Sequence, residues 1–357
     1  MSPGGSTSIT WGWALYDAIV VGGGPAGLSF ALHAARAGLR VAVLEEGSGI
    51  GVPVRSSGGS WLSEVGAMGV PRHLVNIVRR LRVVAPSGKV YEFEARGDLG
   101  AVIDVRGFYQ ELAERAVSHG AEVLVARCAR SLEVLSDRLT VDARSASFEA
   151  RLVVDASGAE AWVRRELGLF RKWERYGVGA EYEVYAPGLE EEDVAVIALG
   201  GEVAPSGYAW VFPCGDRRAR VGVGILRPFS RENPMRYLEH LLKKSFVKEL
   251  LGDRVGVVEL HTGVFPSQGL VKPLTYGRAV FIGDAGGFGS PLMGEGIRFA
   301  YRSGAWAAEA AARFLEGDEG ALKRFEDESF RRLGRDFAIA LRVQEAAARG
   351  SDRVLEK

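Results

Sequence analysis

Three features of the chain predict an α/β architecture in which a doubly wound parallel sheet is interleaved with an antiparallel one. Asp17-Ala-Ile-Val-Val-Gly-Gly-Gly-Pro-Ala-Gly-Leu28 joins a short apolar run to a glycine cluster and then to a helix-like run, Leu28 to Ala37. The middle third holds four strand-length apolar or alternating runs with no helix-period segment between them. From Gly294 to Arg349 the pattern is helical.

In the first stretch, Gly22 permits a tight turn, Gly24 lets backbone approach a pyrophosphate, and Gly27 allows close helix–strand packing. Pro25 and Ala26 complete the loop, and the helix N-terminus faces the phosphates. A second strand, Leu39 to Leu44, ends in Glu45, placed to accept hydrogen bonds from a ribose; Glu46 follows it. Gly-rich loops are common among 47 glycines. Strand, glycines, helix, strand and acid in that order within about 30 residues is the full Rossmann dinucleotide fingerprint.

At 357 residues the chain is long enough for two interleaved domains. Its 47% hydrophobic and 25% charged residues are those of an ordinary soluble globular protein. Zero formal net charge argues against a nucleic-acid partner, which normally shows as a basic excess. Cys128 and Cys214 form no CxxC and read as inert or partly buried thiols of a cytosolic chain. No metal-ligand cluster is assigned. The N-terminal fifteen residues lack the charged n-region of a signal peptide, and Met1 to Thr10 is expected to be disordered. No apolar run approaches the ~20 residues that span a bilayer.

Along the chain, Gly47 to Ser60 is a long polar loop beside the nucleotide site; it contains Arg55, Ser57 and Gly58, and Gly58-Gly59 suggests close approach to a flat ligand. Trp61 to Val70 and Pro71 to Arg80 are short helical candidates. Arg82 to Ala85 and Lys89 to Glu94 form a hairpin about Pro86-Ser87-Gly88. Arg106 to His119 is an amphipathic helix with Gly120 as its cap. Strands follow at Glu122 to Ala126, Ser131 to Leu135, Leu139 to Ala143 and Ser147 to Val154. The middle strands are Gly177 to Tyr185, Val194 to Leu199, Tyr208 to Pro213 and Arg220 to Leu226, an antiparallel sheet with a face free for a ligand. Met235 to Leu251 reads as one helix introduced by Asn233-Pro234, and Val255 to Val264 as one more strand. The expected organisation is a discontinuous first domain (16–75, 101–170, 265–317), a second domain (76–100, 171–264) and a C-terminal helical segment (318–357).

Two further strand ends repeat the logic of the first: Asp155-Ala-Ser-Gly158, and Gly283-Asp284-Ala-Gly286 followed by Pro291-Leu-Met-Gly294-Glu-Gly296-Ile297. Three such sites exceed what a nicotinamide domain needs and suit FAD, with its adenosine, pyrophosphate, ribityl chain and ring. Asp284 would accept from ribityl hydroxyls. The helix beginning near Gly294 to Gly296 would aim N–H groups at the flavin or its phosphates.

GGGPAGLSFALHAARAG, DASGAEAWVRRELG and GDAGGFGSPLMGEGIRFAYRSGAWAAE resemble the three FAD motifs of the para-hydroxybenzoate-hydroxylase-like flavoproteins, from Asp17 to about Glu309. That fold serves hydroxylases, halogenases and saturating reductases alike. Pro205-Ser-Gly-Tyr208-Ala-Trp210-Val-Phe212-Pro213 is more specific: it resembles the PxxYxWxFP substrate motif of the geranylgeranyl reductase family, archaeal digeranylgeranylglycerophospholipid reductases included. Tyr208, Trp210 and Phe212 alternate and so share one face, a flat apolar wall for an isoprenoid chain, with Pro213 ending the strand. The resemblance implies an FAD-dependent reductase that saturates C=C bonds of a geranylgeranyl chain, drawing electrons from NADPH, NADH or a small electron carrier.

Three departures stand out. Ser57-Gly58 occupies the place where relatives often carry Cys-Gly, so a hydroxyl replaces any thiol contribution. Arg106 falls one residue later than the flavin-contacting arginine expected there. The chain also stops sooner than many relatives, which suggests that a C-terminal covering segment is missing. For the proton donor, Tyr208, Ser57 or an ordered water are the options, and no histidine is well placed. A flavin monooxygenase is the alternative reading. A halogenase is disfavoured because no lysine precedes Lys89. Phe330, Leu333, Phe337 and Leu341 share one helical face ringed by arginines. That pattern fits a helix packed on the body, the commoner case, or one lying on an anionic membrane. The expected location is cytoplasmic, with peripheral contact at the inner membrane face left open by the second of these.

Overall fold

The computed structural model describes residues 15–144, 146–350 and 352, so Met1 to Thr10 lies outside the described residues. Among the described residues the strands form three sheets. In the first, Tyr16–Val21 sits between Val41–Leu44 and Ala146–Asp155, with Glu122–Leu124 and Ala279–Phe281 beyond them, all parallel. Their central stretches, Ala18–Val21, Val41–Leu44, Leu152–Val154 and Ala279–Phe281, are apolar and buried because helices cover the sheet. Ala129–Val134 and Leu139–Ala143 add an antiparallel extension to the Ala146–Asp155 strand.

Helix Pro25–Arg36 follows the glycine loop directly, with Pro at its first position. A Cβ at Gly27 would lie 2.1 Å from the Gly22 carbonyl oxygen, and one at Gly304 would lie 2.3 Å from that of Ala26. Helix Ile297–Leu315 therefore rests almost backbone to backbone on the first helix. Helix Ala321–Arg349 inserts Leu322, Phe325, Leu333 and Phe337 into the same core, with Phe330 packed against it. Its apolar face is thus covered by the body. No described helix is long and apolar enough to cross a membrane.

The second sheet runs in the order Gly256–Pro266, Tyr176–Tyr185, Arg218–Arg227, Gly207–Gly215, Val194–Ala198, Arg80–Val84, Val90–Glu94. It is antiparallel except where Val194–Ala198 lies parallel to Arg80–Val84, a pairing that the expected all-antiparallel arrangement missed. The strand bearing Pro213 does not end there; it continues to Gly215 after a register shift. One face of this sheet carries Ala180, Val184, Ala209, Val211, Val221, Val223 and Ile225, packed under Leu238, Leu241, Val247 and Leu250. Those four come from two helices, Pro234–Leu241 and Ser245–Leu251, not from the single helix expected. Lys244 is extended between them, and each half turns its own apolar residues to the sheet.

The third sheet pairs Gly59–Trp61 and Val75–Val78 with Gly100–Ile103. Pro71–Arg80 was expected to be helical, but only Arg72–Leu74 makes a short 3₁₀ turn. The β-branched Val75, Ile77 and Val78 favour the extended form that Gly100–Ile103 offers to pair.

Arg220 joins the second sheet to the loop that follows the dinucleotide fingerprint. It is 3% exposed, and its Nη1 donates to the carbonyls of Ser57 (2.9 Å) and Ile103 (3.0 Å). Its Nε reaches Glu183 at 3.4 Å. Gly58 meets this guanidinium at φ +74°, where a Cβ would sit 2.5 Å from the Ile103 carbonyl oxygen and 2.8 Å from Nη1.

Two outcomes follow from this packing. Gly304→Ala should lower stability by about 1–3 kcal/mol through overpacking, because the ~1 kcal/mol helix propensity gained cannot offset a backbone clash; an unchanged urea midpoint contradicts it. Arg220→Met should cost about 1–3 kcal/mol, since it leaves two buried carbonyls without their donor. It should also speed amide exchange at Ser57 and Gly58, whereas protection equal to the parent contradicts the contact.

Candidate active site

A cavity of about 950 Å³ opens between the carboxyl ends of the parallel strands and the second sheet's other face. Ligands of open α/β sheets bind at those strand ends, and the volume is at the upper end of the range for ligand pockets. Of the residues expected to hold a cofactor, Gly22, Gly24, Pro25, Ala26, Glu45, Glu46, Arg55, Gly283, Asp284, Pro291, Gly294, Gly296 and Ile297 line it.

This half of the cavity fits a dinucleotide on several counts. Helices Pro25–Arg36 and Ile297–Leu315 both begin at a glycine without a side-chain cap, so their first N–H groups face the cavity. A Cβ at Gly24 would have nothing within 4 Å, which leaves a backbone cradle open to a phosphate. Glu45 accepts from the Gly23 and Gly47 amides, both at 2.7 Å, which fixes the carboxylate at the end of its strand. Arg127, also on the lining, has a buried Nε with no hydrogen-bond partner, a free donor for an anionic or hydroxylated ligand. Burial pushes the Asp284 carboxyl up to about 6.

Six of the expected residues do not line the cavity. Gly27 packs under the turn. Asp155 is fully buried and faces away, because both its oxygens shape the following turn: Oδ1 accepts from Ser157 and Oδ2 from the Arg164 amide. It thereby positions Ala156, Ser157 and Gly158, which do line the cavity. Arg106 is turned to Glu259 at 2.8 Å. Gly58 is locked behind Arg220. Phe212 packs on Gly59 in a cluster with Val78 and Val102, and Pro213 follows it out of the site.

Tyr208, Trp210 and Phe212 do share one sheet face, with ring centroids 5.7 and 6.2 Å apart. On this sheet face Phe265 lines the cavity in place of Phe212, and Tyr109 and Trp162 also line it from the other sheet's side. Glycines make this wall flat. A Cβ at Gly222 would lie 2.3 Å from the Trp210 ring, and one at Gly177 would lie 2.0 Å from the Phe265 ring. Each ring therefore lies down along the sheet where a side chain would have propped it up. The Tyr208 hydroxyl donates to the Met293 carbonyl at 2.6 Å, and burial, with Glu295 nearby, pushes its pKa up to about 12. Its proton is directed at the backbone of the Pro291–Gly296 segment.

Sequence reasoning missed three contributors. One end of the cavity is covered by Gln344, Ala347 and Ala348 of the last helix, which sequence reasoning placed only on the body or a membrane. Ser206 Oγ donates to the Ala348 carbonyl at 3.1 Å, and Gln344 Nε2 to Ser267 Oγ at 2.7 Å. Arg220 was read only as a strand residue. His261 lines the cavity, contrary to the expectation that no histidine is well placed, and pairs with Glu181. Little in the sequence signals it, because the two strands also carry Glu183 and Glu259, and only the strand register sets Glu181 opposite His261. Cys128 and Cys214 are free, and burial pushes the Cys214 thiol up to about 12.

Comparison with known proteins agrees with this arrangement. A family model for the geranylgeranyl reductase catalytic domain matches residues 176–264, and one for an FAD binding domain matches residues 17–85. A digeranylgeranylglycerophospholipid reductase of Methanopyrus kandleri is 33% identical, covering 95% of this chain and 88% of its own length. That of Methanocella arvoryzae is 31% identical, over 95% and 89%. The crystal structure of a geranylgeranyl bacteriochlorophyll reductase-like protein from Thermoplasma acidophilum superposes with a TM-score of 0.87 at 25% identity, covering 96% of this chain and 90% of that one. A flavin-dependent brominase shares the fold at a TM-score of 0.73 and 17% identity, covering 96% and 93%. With the FAD cradle, the PxxYxWxFP strand and relatives matched over most of their length in agreement, the chain belongs to the geranylgeranyl reductase family of FAD-dependent oxidoreductases.

Proposed function

We propose that the protein saturates C=C bonds in the geranylgeranyl chains of an archaeal-type membrane lipid or its precursor. One observation carries this reading: the FAD cradle and a flat wall of Tyr208, Trp210 and Phe265 face each other across a single cavity. In this reading Gly22 to Ala26, Glu45, Asp284 and the Pro291–Ile297 segment hold the cofactor, and 16–75, 101–170 and 265–317 form its domain. The 76–100 and 171–264 segments form the substrate domain, and 318–357 closes the end of the slot. Bound and reduced, FAD would supply hydride for one carbon of the alkene.

The chain's own residues do the rest. An unactivated alkene is a poor hydride acceptor, so it must be held within about 3.5 Å of the donor, and such positioning can contribute several kcal/mol. The aromatic wall supplies that hold through apolar contact along an extended chain. Tyr208 ties the wall to the Pro291–Gly296 segment, so the two halves of the site keep a fixed spacing. Ser57, held by Arg220 through its carbonyl, borders the same space. NADPH, NADH or a small electron carrier would reduce the flavin transiently. A cytoplasmic protein meeting the inner membrane face is the setting this substrate implies.

Anaerobically photoreduced protein should recover its yellow absorbance on adding vesicles of a digeranylgeranyl lipid, and the recovered lipid should gain two hydrogens per bond saturated. Re-oxidation that occurs only with oxygen would favour a monooxygenase instead. Gly222→Ala should lift the Trp210 ring and cut lipid turnover at least ~10-fold, with FAD binding unchanged. Parent-like turnover in that variant would remove the flat wall from the account.

A further inference from the structure

Saturating one C=C bond takes one hydride and one proton, and the most obvious hydroxyl on the wall, that of Tyr208, is directed at a carbonyl. Four strands bring a different acid to the same place. Glu181 stands opposite His261 on one side and Gly222 on the other, and Gly222 stands opposite Trp210. With no side chain at Gly222, the indole reaches across, and Trp210 Nε1 donates to Glu181 Oε2 at 2.7 Å. Glu181 Oε1 lies 2.9 Å from His261 Nδ1. Glu181 and His261 are both 3% exposed, yet His261 lines the cavity, and its Nε2 is buried with no hydrogen-bond partner.

We propose that Trp210, Glu181 and His261 form the proton-delivery line of this site, with His261 as the general acid that completes alkene saturation. The proposal rests on the reductase reading above. Trp210 and Glu181 are positioning residues. Trp210 fills one carboxylate oxygen and Glu181 orients the ring, so that Nδ1–H is held and Nε2 carries the transferable proton. With bound, reduced FAD supplying hydride to one alkene carbon, the π pair would bond to the Nε2 proton at the other. The N–H pair stays on nitrogen, leaving a neutral imidazole. An external two-electron donor of the nicotinamide or small-carrier class restores the flavin, and water restores the proton. Glu259, 3.5 Å from Nε2 and about a third exposed, lies on the path to solvent.

A purely structural Glu–His pair is the competing explanation. Buried ion pairs seldom add net stability over apolar residues of similar size, and this one sits on the wall where the chemistry needs a proton. The charged groups around His261 are Glu181 on the paired strand, Glu259 on its own, Arg220 on the next strand, and Arg106 bound to Glu259. Burial lowers the imidazole's affinity for a proton. The Glu181 hydrogen bond and charge, with Glu259, outweigh burial and Arg220, so the net direction is up from 6.5. The acid form is therefore the populated one below that raised value. Re-oxidation by lipid should fall as pH rises through it.

The test uses FAD-loaded full-length protein, reduced anaerobically and mixed with digeranylgeranyl lipid vesicles. His261→Gln should keep its FAD and thermal midpoint but re-oxidise about 10²–10⁴-fold more slowly. Glu181→Gln should move the alkaline fall in rate to lower pH by roughly one unit or more. The ring ¹⁵N signals of His261, identified by their loss in His261→Gln, should titrate above 6.5 in the parent and lower in Glu181→Gln. A His261→Gln rate within threefold of an active parent overturns the proposal and leaves the reductase reading standing. A parent that no prenyl lipid re-oxidises overturns both. Should His261→Gln fail to bind FAD, the Glu181→Gln profile decides, and an unshifted profile or an unperturbed His261 titration overturns the proposal.

Discussion

The contact on which the site depends is that of Arg220 with the Ser57 and Ile103 carbonyls. The cofactor cradle belongs to the parallel sheet and the aromatic wall to the other, so the distance between them is set by whatever joins the two. Arg220 is well suited to this, since a planar guanidinium keeps its charge when buried and can satisfy several acceptors at once. Its backbone partners cannot be lost by mutation, and Gly58 supplies the positive φ that lets the loop close over it. The Tyr208–Met293 hydrogen bond and the Gln344 and Ser206 contacts of the last helix fix the same spacing from other sides.

Glycine shapes the wall in a way that single-residue chemistry does not suggest. Strand glycines normally weaken a sheet. Here Gly177 and Gly222 allow Phe265 and Trp210 to lie flat, and Gly222 also lets the indole N–H reach Glu181. The same substitution-intolerant positions thus create an apolar surface and place an ionisable pair at its edge. The cavity combines an apolar surface with the Glu181–His261 pair, which an aromatic core alone would not provide.

Much of this was legible beforehand. The strand, glycine loop and helix at Asp17–Ala37 have a period and order that local physics determines, and the fold there matches the reading. The alternation of Tyr208, Trp210 and Phe212 likewise placed all three rings on one face. What the sequence could not convey was where each ring ends: Phe212 runs past the cavity onto Gly59, whereas Phe265 enters it from a distant strand. Asp155 looked like a ligand because it ends a strand beside a glycine, but its carboxylate serves the adjacent turn. The Pro71–Arg80 segment was misread because long-range pairing with Gly100–Ile103 overrode a short apolar pattern. His261 was passed over because its partner lies eighty residues away, and only the strand register brings them together.

The central claim is that the flavin ring and the glycine-floored wall share one cavity. A crystal structure of the protein with FAD and a bound prenyl lipid tests it most directly. The account predicts the ring between the Asp284–Ile297 segment and the Tyr208–Trp210 strand, with the lipid chain against Trp210 and Phe265. A ring lodged elsewhere, or a lipid chain bound on another face of the second sheet, would contradict it.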